Sequence, residues 1–150
     1  MVEIDRINKR ILRELTKDGR VSNTELSDRV GLSASACLRR VQDLERSGII
    51  QSYRAVLNPV ALGVGFTAYI AVGLSDHTKK SQEAFQEAIS FSPEVRECHN
   101  ITGSFEYLLR VETTNLAAYK VFHTDVLGIL PQVHSITTYV VMDSPKDERA

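Results

Sequence analysis

Val30-Gly31-Leu32-Ser33-Ala34-Ser35-Ala36-Cys37-Leu38-Arg39-Arg40-Val41-Gln42-Asp43-Leu44-Glu45-Arg46 reads as a turn followed by a helix whose two faces differ in kind. At about 100° per residue, Cys37, Leu38, Val41 and Leu44 gather on one face. Ala36, Arg39, Arg40, Asp43 and Arg46 gather on the other, with Ser35 at its N-terminal edge. Small residues in a first turn let a backbone come close to a duplex, and arginine takes a guanine edge bidentately or a phosphate. For a single helix of this kind, a solvated basic face is the plainer alternative. The residues upstream favour the first reading. Ser22-Asn23-Thr24-Glu25 has capping-box spacing and opens a short helix that turns Leu26 and Val30 inward. Gly31 stops that helix, Leu32 plugs the turn, and Ser33 starts the next one. Helix, glycine turn and helix follow each other at helix-turn-helix spacing.

Further upstream, Ile4, Ile7, Ile11 and Leu15 recur at helical spacing, with Leu12 widening the stripe and Asp5 placed to cap the start. Asp18-Gly19 ends this helix, and Gly19 is predicted to take the left-handed conformation common at helix C-termini. Downstream, Gly48-Ile49-Ile50 closes the third helix and begins a strand-like stretch through Tyr53 and Val56, as a winged variant requires. Cys37 falls on the buried side and reads as a small core residue.

Asn58-Pro59 breaks the extended stretch, and Ala61-Leu62-Gly63 with Gly65 forms a linker. A strand is predicted over Phe66–Leu74, and a helix over 81–91 with Ala84, Phe85, Ala88 and Ile89 inward. Strands over 95–102 and 105–112 flank the turn at Gly103-Ser104. Asn115 caps a second helix with Leu116, Tyr119, Phe122 and Val126 inward; Pro131 ends it, and a last strand covers 135–142. The tail 144–150 is polar and reads as frayed. The predicted class is therefore α+β, a winged helix-turn-helix followed by a ferredoxin-like βαββαβ domain. The expected boundaries are 1–53 for the helical domain, 54–65 for strand and linker, and 66–150 for the sheet domain. Two helices cover one sheet face and leave the other to a partner molecule.

The 150 residues are 43% hydrophobic and 25% charged, an ordinary globular balance. No apolar run approaches the roughly 18–20 residues that span a membrane. Met1-Val2-Glu3-Ile4-Asp5 is acidic and lacks the charged, then apolar, pattern of a signal peptide. Cys37 and Cys98 stand far apart, without metal-ligand spacing. These features exclude a secreted disulfide scaffold and an integral membrane protein, and point to the cytoplasm. The net charge of −1 hides an asymmetry. Residues 1–54 carry 11 basic against 8 acidic side chains, while residues 55–150 carry 7 against 11. The basic N-terminal part suits nucleic acid.

Enzyme signals are missing. Gly63-Val64-Gly65-Phe66-Thr67-Ala68 starts like a dinucleotide fingerprint but lacks its third glycine and leads into a strand. His77, His99, His123 and His134 have no metal-motif spacing, and Ser104 lacks the strand–elbow–helix setting of a hydrolase nucleophile. No catalytic residue, metal or cofactor is expected.

Asp5-Arg6-Ile7-Asn8 with Ile11-Leu12 and Leu15, Asp18-Gly19-Arg20, Val30-Gly31-Leu32-Ser33 with Ser35, Arg39-Arg40-Val41, Leu44-Glu45, Gly48-Ile49-Ile50 and the run from Tyr53 to Asn58 form one set of motifs. Thr102-Gly103-Ser104-Phe105-Glu106-Tyr107-Leu108-Leu109 and Thr138-Tyr139-Val140-Val141-Met142 form another. Together, over roughly residues 3–143, they resemble the Lrp/AsnC, or feast/famine, family of transcription regulators. Glu106 stands where that family more often has Asp. The resemblance implies a prokaryotic cytoplasmic regulator of double-stranded DNA that dimerises through its C-terminal sheet and assembles further, to an octamer. It also implies an amino acid effector bound between dimers. DNA-facing candidates are Thr24, Ser33, Ser35, Ala36, Arg39, Arg40 and Arg46; effector-facing candidates are Gly103, Ser104, Glu106, Tyr107, Thr137 and Thr138. Backbone N–H groups around Gly103 and Ser104 suit a carboxylate, Glu106 suits an ammonium, and the Thr138 hydroxyl completes either set. The plainer reading keeps Gly103-Ser104 as a hairpin turn, Glu106 as a solvated carboxylate, and the C-terminal domain as an oligomerisation module without an effector.

Overall fold

Three short polar side chains decide where the first helices begin. In the computed structural model, which describes residues 3–147, Asp5, Ser22 and Ser33 accept hydrogen bonds from the N–H groups of Asn8, Glu25 and Ala36. Each satisfies a donor that an α-helix leaves unpaired in its first turn. The resulting helices are α1 (Arg6–Lys17), α2 (Asn23–Val30) and α3 (Ala34–Arg46). Their shared core is Ile11, Leu26, Val30, Cys37 and Leu44.

Between α2 and α3, Gly31 has φ +75°, and its N–H closes onto the carbonyls of Ser27 and Asp28. A side chain here would meet no steric neighbour but would have to adopt the left-handed region. Gly31→Ala is expected to destabilise this unit by about 1–2 kcal/mol, the cost of that region for an L-residue. Urea unfolding followed by circular dichroism measures the loss.

Several local expectations need correction. Gly19 has no positive φ; α1 instead ends at Asp18 in an extended conformation. Leu38 is 46% exposed, because it lies outside the arc that holds Cys37 and Leu44. The stretch 51–58 has no regular secondary structure, so the expected wing strand through Tyr53 and Val56 finds no ladder partner among the described residues.

The chain divides by contact into two compact units, the first ending at Val56 and the second starting at Leu57. The second runs β1 (Phe66–Leu74), α4 (Lys79–Ser90), β2 (Val95–Asn100), β3 (Tyr107–Thr113), α5 (Leu116–Phe122), a π-helical turn (His123–Leu127) and β4 (Val133–Val140). The sheet is antiparallel at every pairing, in the order β2-β3-β1-β4. This is the β-α-β-β-α-β pattern, and it seats β1 and β3 centrally. Thr78 caps α4 and Asn115 caps α5. β4 begins two residues earlier than predicted, and its register against β1 shifts between Gly73 and Leu74. Leu116 is exposed rather than inward; Tyr119, Phe122 and Leu127 form that side of the core.

Strand alternation sorts the residues by face. Ile70 and Val72 of β1, with Tyr107, Leu109 and Val111 of β3, are buried together with Phe85 and Ile89 of α4. Their register partners fix the opposite face: Tyr69, Ala71 and Gly73 on β1, Leu108, Arg110 and Glu112 on β3, and Ser135, Thr137 and Tyr139 on β4. Among the described residues, no helix of the unit covers that face. Of the opening pentapeptide, Met1 and Val2 lie outside the described residues, as do 148–150 of the polar tail; 144–147 have no regular structure.

Candidate DNA-reading and effector sites

On α3 the helical period places Ser35, Arg39, Gln42 and Arg46 along one outward line, opposite Cys37 and Leu44. Arg39 is exposed and makes no hydrogen bond or ion pair among the described residues. Arg46 is exposed too but donates to Asp43 Oδ1 at 2.6 Å. Gln42, an amide able to donate and accept, belongs to the same line and was missed on sequence; the 35–39–42–46 spacing was the available signal. Thr24 is exposed in the first turn of α2, and Ala36 is half-buried. Ser33 is engaged in capping, its Oγ 3.3 Å from Ala36 N and from Ser35 Oγ.

Arg40 does not join that line. Its guanidinium donates to Asp5 Oδ2 at 2.7 Å and to Asn8 Oδ1 at 3.1 Å, tying α3 to the start of α1. Asn8 N–H, the larger influence, and then Arg40 hold the Asp5 carboxyl below the usual range. Two further ties set the recognition geometry. Asn23 Nδ2 donates to Ala34 O at 2.9 Å, joining α2 to α3, and Arg10 donates to Arg29 O at 2.7 Å, joining α1 to α2. The helix is thus held from both neighbours while its outward line stays clear.

In the second unit, Glu106 N–H donates to Val72 O at 3.1 Å, which extends the β1–β3 ladder by one residue. Glu106 therefore lies opposite Gly73 on the uncovered sheet face. A Cβ at Gly73 would collide with Ser135 Oγ and stand 3.7 Å from Glu106 Oε2. The missing side chain leaves room for both polar groups. Glu106 Oε2 accepts from Leu74 N–H at 2.7 Å, and Oε1 lies 3.0 Å from His77 Nδ1. Its side chain is only 16% exposed. Gly103, at φ +128°, has open space where a side chain would project. The N–H groups of Gly103 and Ser104 donate no hydrogen bond among the described residues. A carboxylate and two N–H donors without a partner among the described residues thus stand on one turn, which suits a zwitterion.

Two expected members do not reach this turn. Tyr107 is 1% exposed, its ring tilted against Phe85 with centroids 4.7 Å apart, and its hydroxyl accepts from Gln86 Nε2 at 2.6 Å. It is a core residue because β3 turns 107, 109 and 111 toward the helices. Thr138 pairs with Ile70 on the same covered face and shares a hydrogen bond with the Tyr119 hydroxyl. Burial pushes the Tyr119 hydroxyl up in pKa, and the Thr138 contact opposes this in part. Thr137, on the uncovered face opposite Ala71, is the threonine that shares a side with Glu106. Among the described residues, no three His, Cys, Asp or Glu gather as a metal site needs, and no helix is long and apolar enough to cross a membrane.

Comparison with known proteins agrees with this division of labour. Residues 67–150 match the family model for the Lrp/AsnC ligand binding domain, and residues 4–51 match that for a winged helix-turn-helix DNA-binding domain. The leucine-responsive regulatory protein of Escherichia coli K12 is 43% identical over 144 residues, covering 96% of this chain and 88% of that protein. A transcriptional regulator from Neisseria meningitidis, solved in complex with L-Met, superposes with TM-score 0.92 at 35% identity, covering 97% of this chain and 94% of that one. A feast or famine regulatory protein from M. tuberculosis complexed with L-methionine superposes with TM-score 0.83 at 27% identity, covering 99% and 98% of the two chains.

Proposed function

The chain belongs to the Lrp/AsnC family of DNA-binding transcription regulators, and from that premise we propose that it reads a duplex with α3 and answers to an amino acid at the Glu106 turn. Its relatives are transcription regulators, not enzymes. The observation that carries the reading is the clear outward line of Ser35, Arg39, Gln42 and Arg46 on a helix held from two sides. Arg39 takes a guanine edge, Gln42 an adenine edge, and Arg46 a phosphate once it releases Asp43. Thr24 and Ser33 stand at the starts of α2 and α3, where N–H groups favour phosphate. Residues 1–53 perform this reading, 54–65 connect, and 66–150 bind effector and assemble.

The effector is an α-amino acid, which the two methionine complexes of related proteins support. Its carboxylate takes the free N–H groups of Gly103 and Ser104, and its ammonium takes Glu106. Thr137 lies on the same sheet face. Two copies bury the uncovered face against each other as a twofold dimer, and dimers associate to an octamer in the cytoplasm, beside the DNA. An effector between dimers shifts that association, and with it DNA binding, by no more than its differential affinity for the two states.

Glu106→Gln keeps the shape and removes the counter-charge. It is expected to weaken L-methionine binding by ~1.5–3 kcal/mol, the worth of a hydrogen bond to a charged group. Effector-free DNA binding should change far less. Calorimetry with amino acid and fluorescence anisotropy with DNA measure the two effects; equal effector affinity in both proteins contradicts the assignment.

A further inference from the structure

Glu106 is already occupied. Its inner oxygen, Oε2, is held by the Leu74 N–H at 2.7 Å, and its outer oxygen, Oε1, faces His77 Nδ1 at 3.0 Å. The carboxylate is 16% exposed while the imidazole that covers it is 79% exposed. An imidazole nitrogen thus lies against the one oxygen not fixed to the backbone, where the reading above puts an effector's ammonium.

The ring is held there by a braced loop. Ser75 N–H donates to Gln132 O at 2.8 Å, which fixes the loop's entry to the turn before β4. Asp76 fixes its exit: Oδ1 accepts from Thr78 N at 2.9 Å and from Thr78 Oγ1 at 2.6 Å, and Oδ2 accepts from Ser81 Oγ at 2.9 Å. His77 lies between these two anchors, with its backbone placed and its side chain in solvent. Asp76 and Glu106 are the acidic groups that bear on it, one from its own loop and one from the β2–β3 connection.

We propose that His77 is an internal competitor for the effector site: its imidazole stands in for the ammonium on Glu106 and must swing out before an amino acid binds. The inference rests on the Glu106 reading above. A site open for only a fraction of the time binds with a dissociation constant raised by that fraction. The imidazole is largely in solvent and carries charge only when protonated, so the competition is mild and easily displaced. His77 thereby sets the concentration at which effector is felt, without touching the bound molecule.

The test is calorimetry of the full-length protein with L-methionine, extended to the other common amino acids, on wild type, His77→Ala, His77→Arg and Glu106→Gln. His77→Ala is expected to bind about two- to five-fold more tightly, the factor such a surface pair supports. His77→Arg, a permanent cation, is expected to bind more weakly than wild type. In the double variant with Glu106→Gln, His77→Ala should bring no gain, because the two residues act on one interaction. NMR of the wild type should show the His77 imidazole signals, identified by their loss in His77→Ala, moving as amino acid is added. Unchanged or weaker binding by His77→Ala, while Glu106→Gln still loses affinity, overturns the competitor and leaves the site standing. Equal binding by Glu106→Gln, or no binding of any amino acid by the wild type, overturns both.

Discussion

Leu108→Asp is expected to convert the proposed dimer to monomer. Leu108 lies on the uncovered sheet face, between Ala71 and His99 in register. Around it stand Tyr69, Thr137 and Tyr139, with Arg110 one same-face step along β3 and Glu112 two. Arg110 pairs with Glu112, yet its Nε is buried with no partner among the described residues. An apolar patch that the chain's own helices leave uncovered is a face suited to burial against another molecule. An aspartate at the centre of a twofold contact meets its own copy, and each unpaired buried carboxylate is costly. The dimer should lose at least ~3 kcal/mol, about a hundred-fold in dissociation constant. Sedimentation velocity at micromolar concentration measures this, with circular dichroism to confirm that the fold survives. Tyr139→Asp, nearer the sheet edge, should give a smaller loss. A wild type that is monomeric throughout that range contradicts the assembly.

Arg39→Ala removes the one α3 guanidinium that is exposed and unpaired on the outward line. Specific duplex binding should fall by ~1–3 kcal/mol if Arg39 takes a base edge, with selectivity relaxed at that position. Arg46→Ala should weaken specific and nonspecific duplexes alike and flatten the salt dependence, since a phosphate contact carries no sequence information. Arg40→Ala separates the two kinds of arginine. Its loss frees Asp5 and Asn8 and loosens the seat of α3, so it should lower thermal stability as well as DNA affinity.

Much of the fold was legible because the deciding signals are local. Asp5, Ser22, Ser33 and Asn115 cap helices within three residues of themselves, and Gly31 takes the left-handed turn that the helix-turn-helix needs. Alternation and helical period placed Cys37, Phe85, Phe122 and most strands. What escaped depends on partners far along the chain. Arg40 looks like its neighbour Arg39 until Asp5, 35 residues away, is seen to hold it. The His77–Glu106 contact spans two elements in the same way. The candidate turn was legible as a group because Gly103, Ser104 and Glu106 share one connection. Sequence alone could not sort Tyr107 and Thr138 by sheet face, because face assignment needs register: a single step along a strand reverses it. Thr137 and Thr138 must point oppositely, and only the pairing of Ile70 with Thr138 decides which one looks toward the helices.

The most direct measurement is selection of bound sequences from a random duplex library by the full-length protein, repeated with Arg39→Ala and with L-methionine present. A twofold dimer with two α3 helices should enrich an inverted repeat whose half-sites lie whole helical turns apart. The Arg39→Ala protein should lose preference at one position of each half-site, and the amino acid should change the spacing or the yield. An unenriched pool, or the same motif at full strength from Arg39→Ala, contradicts reading by this face of α3.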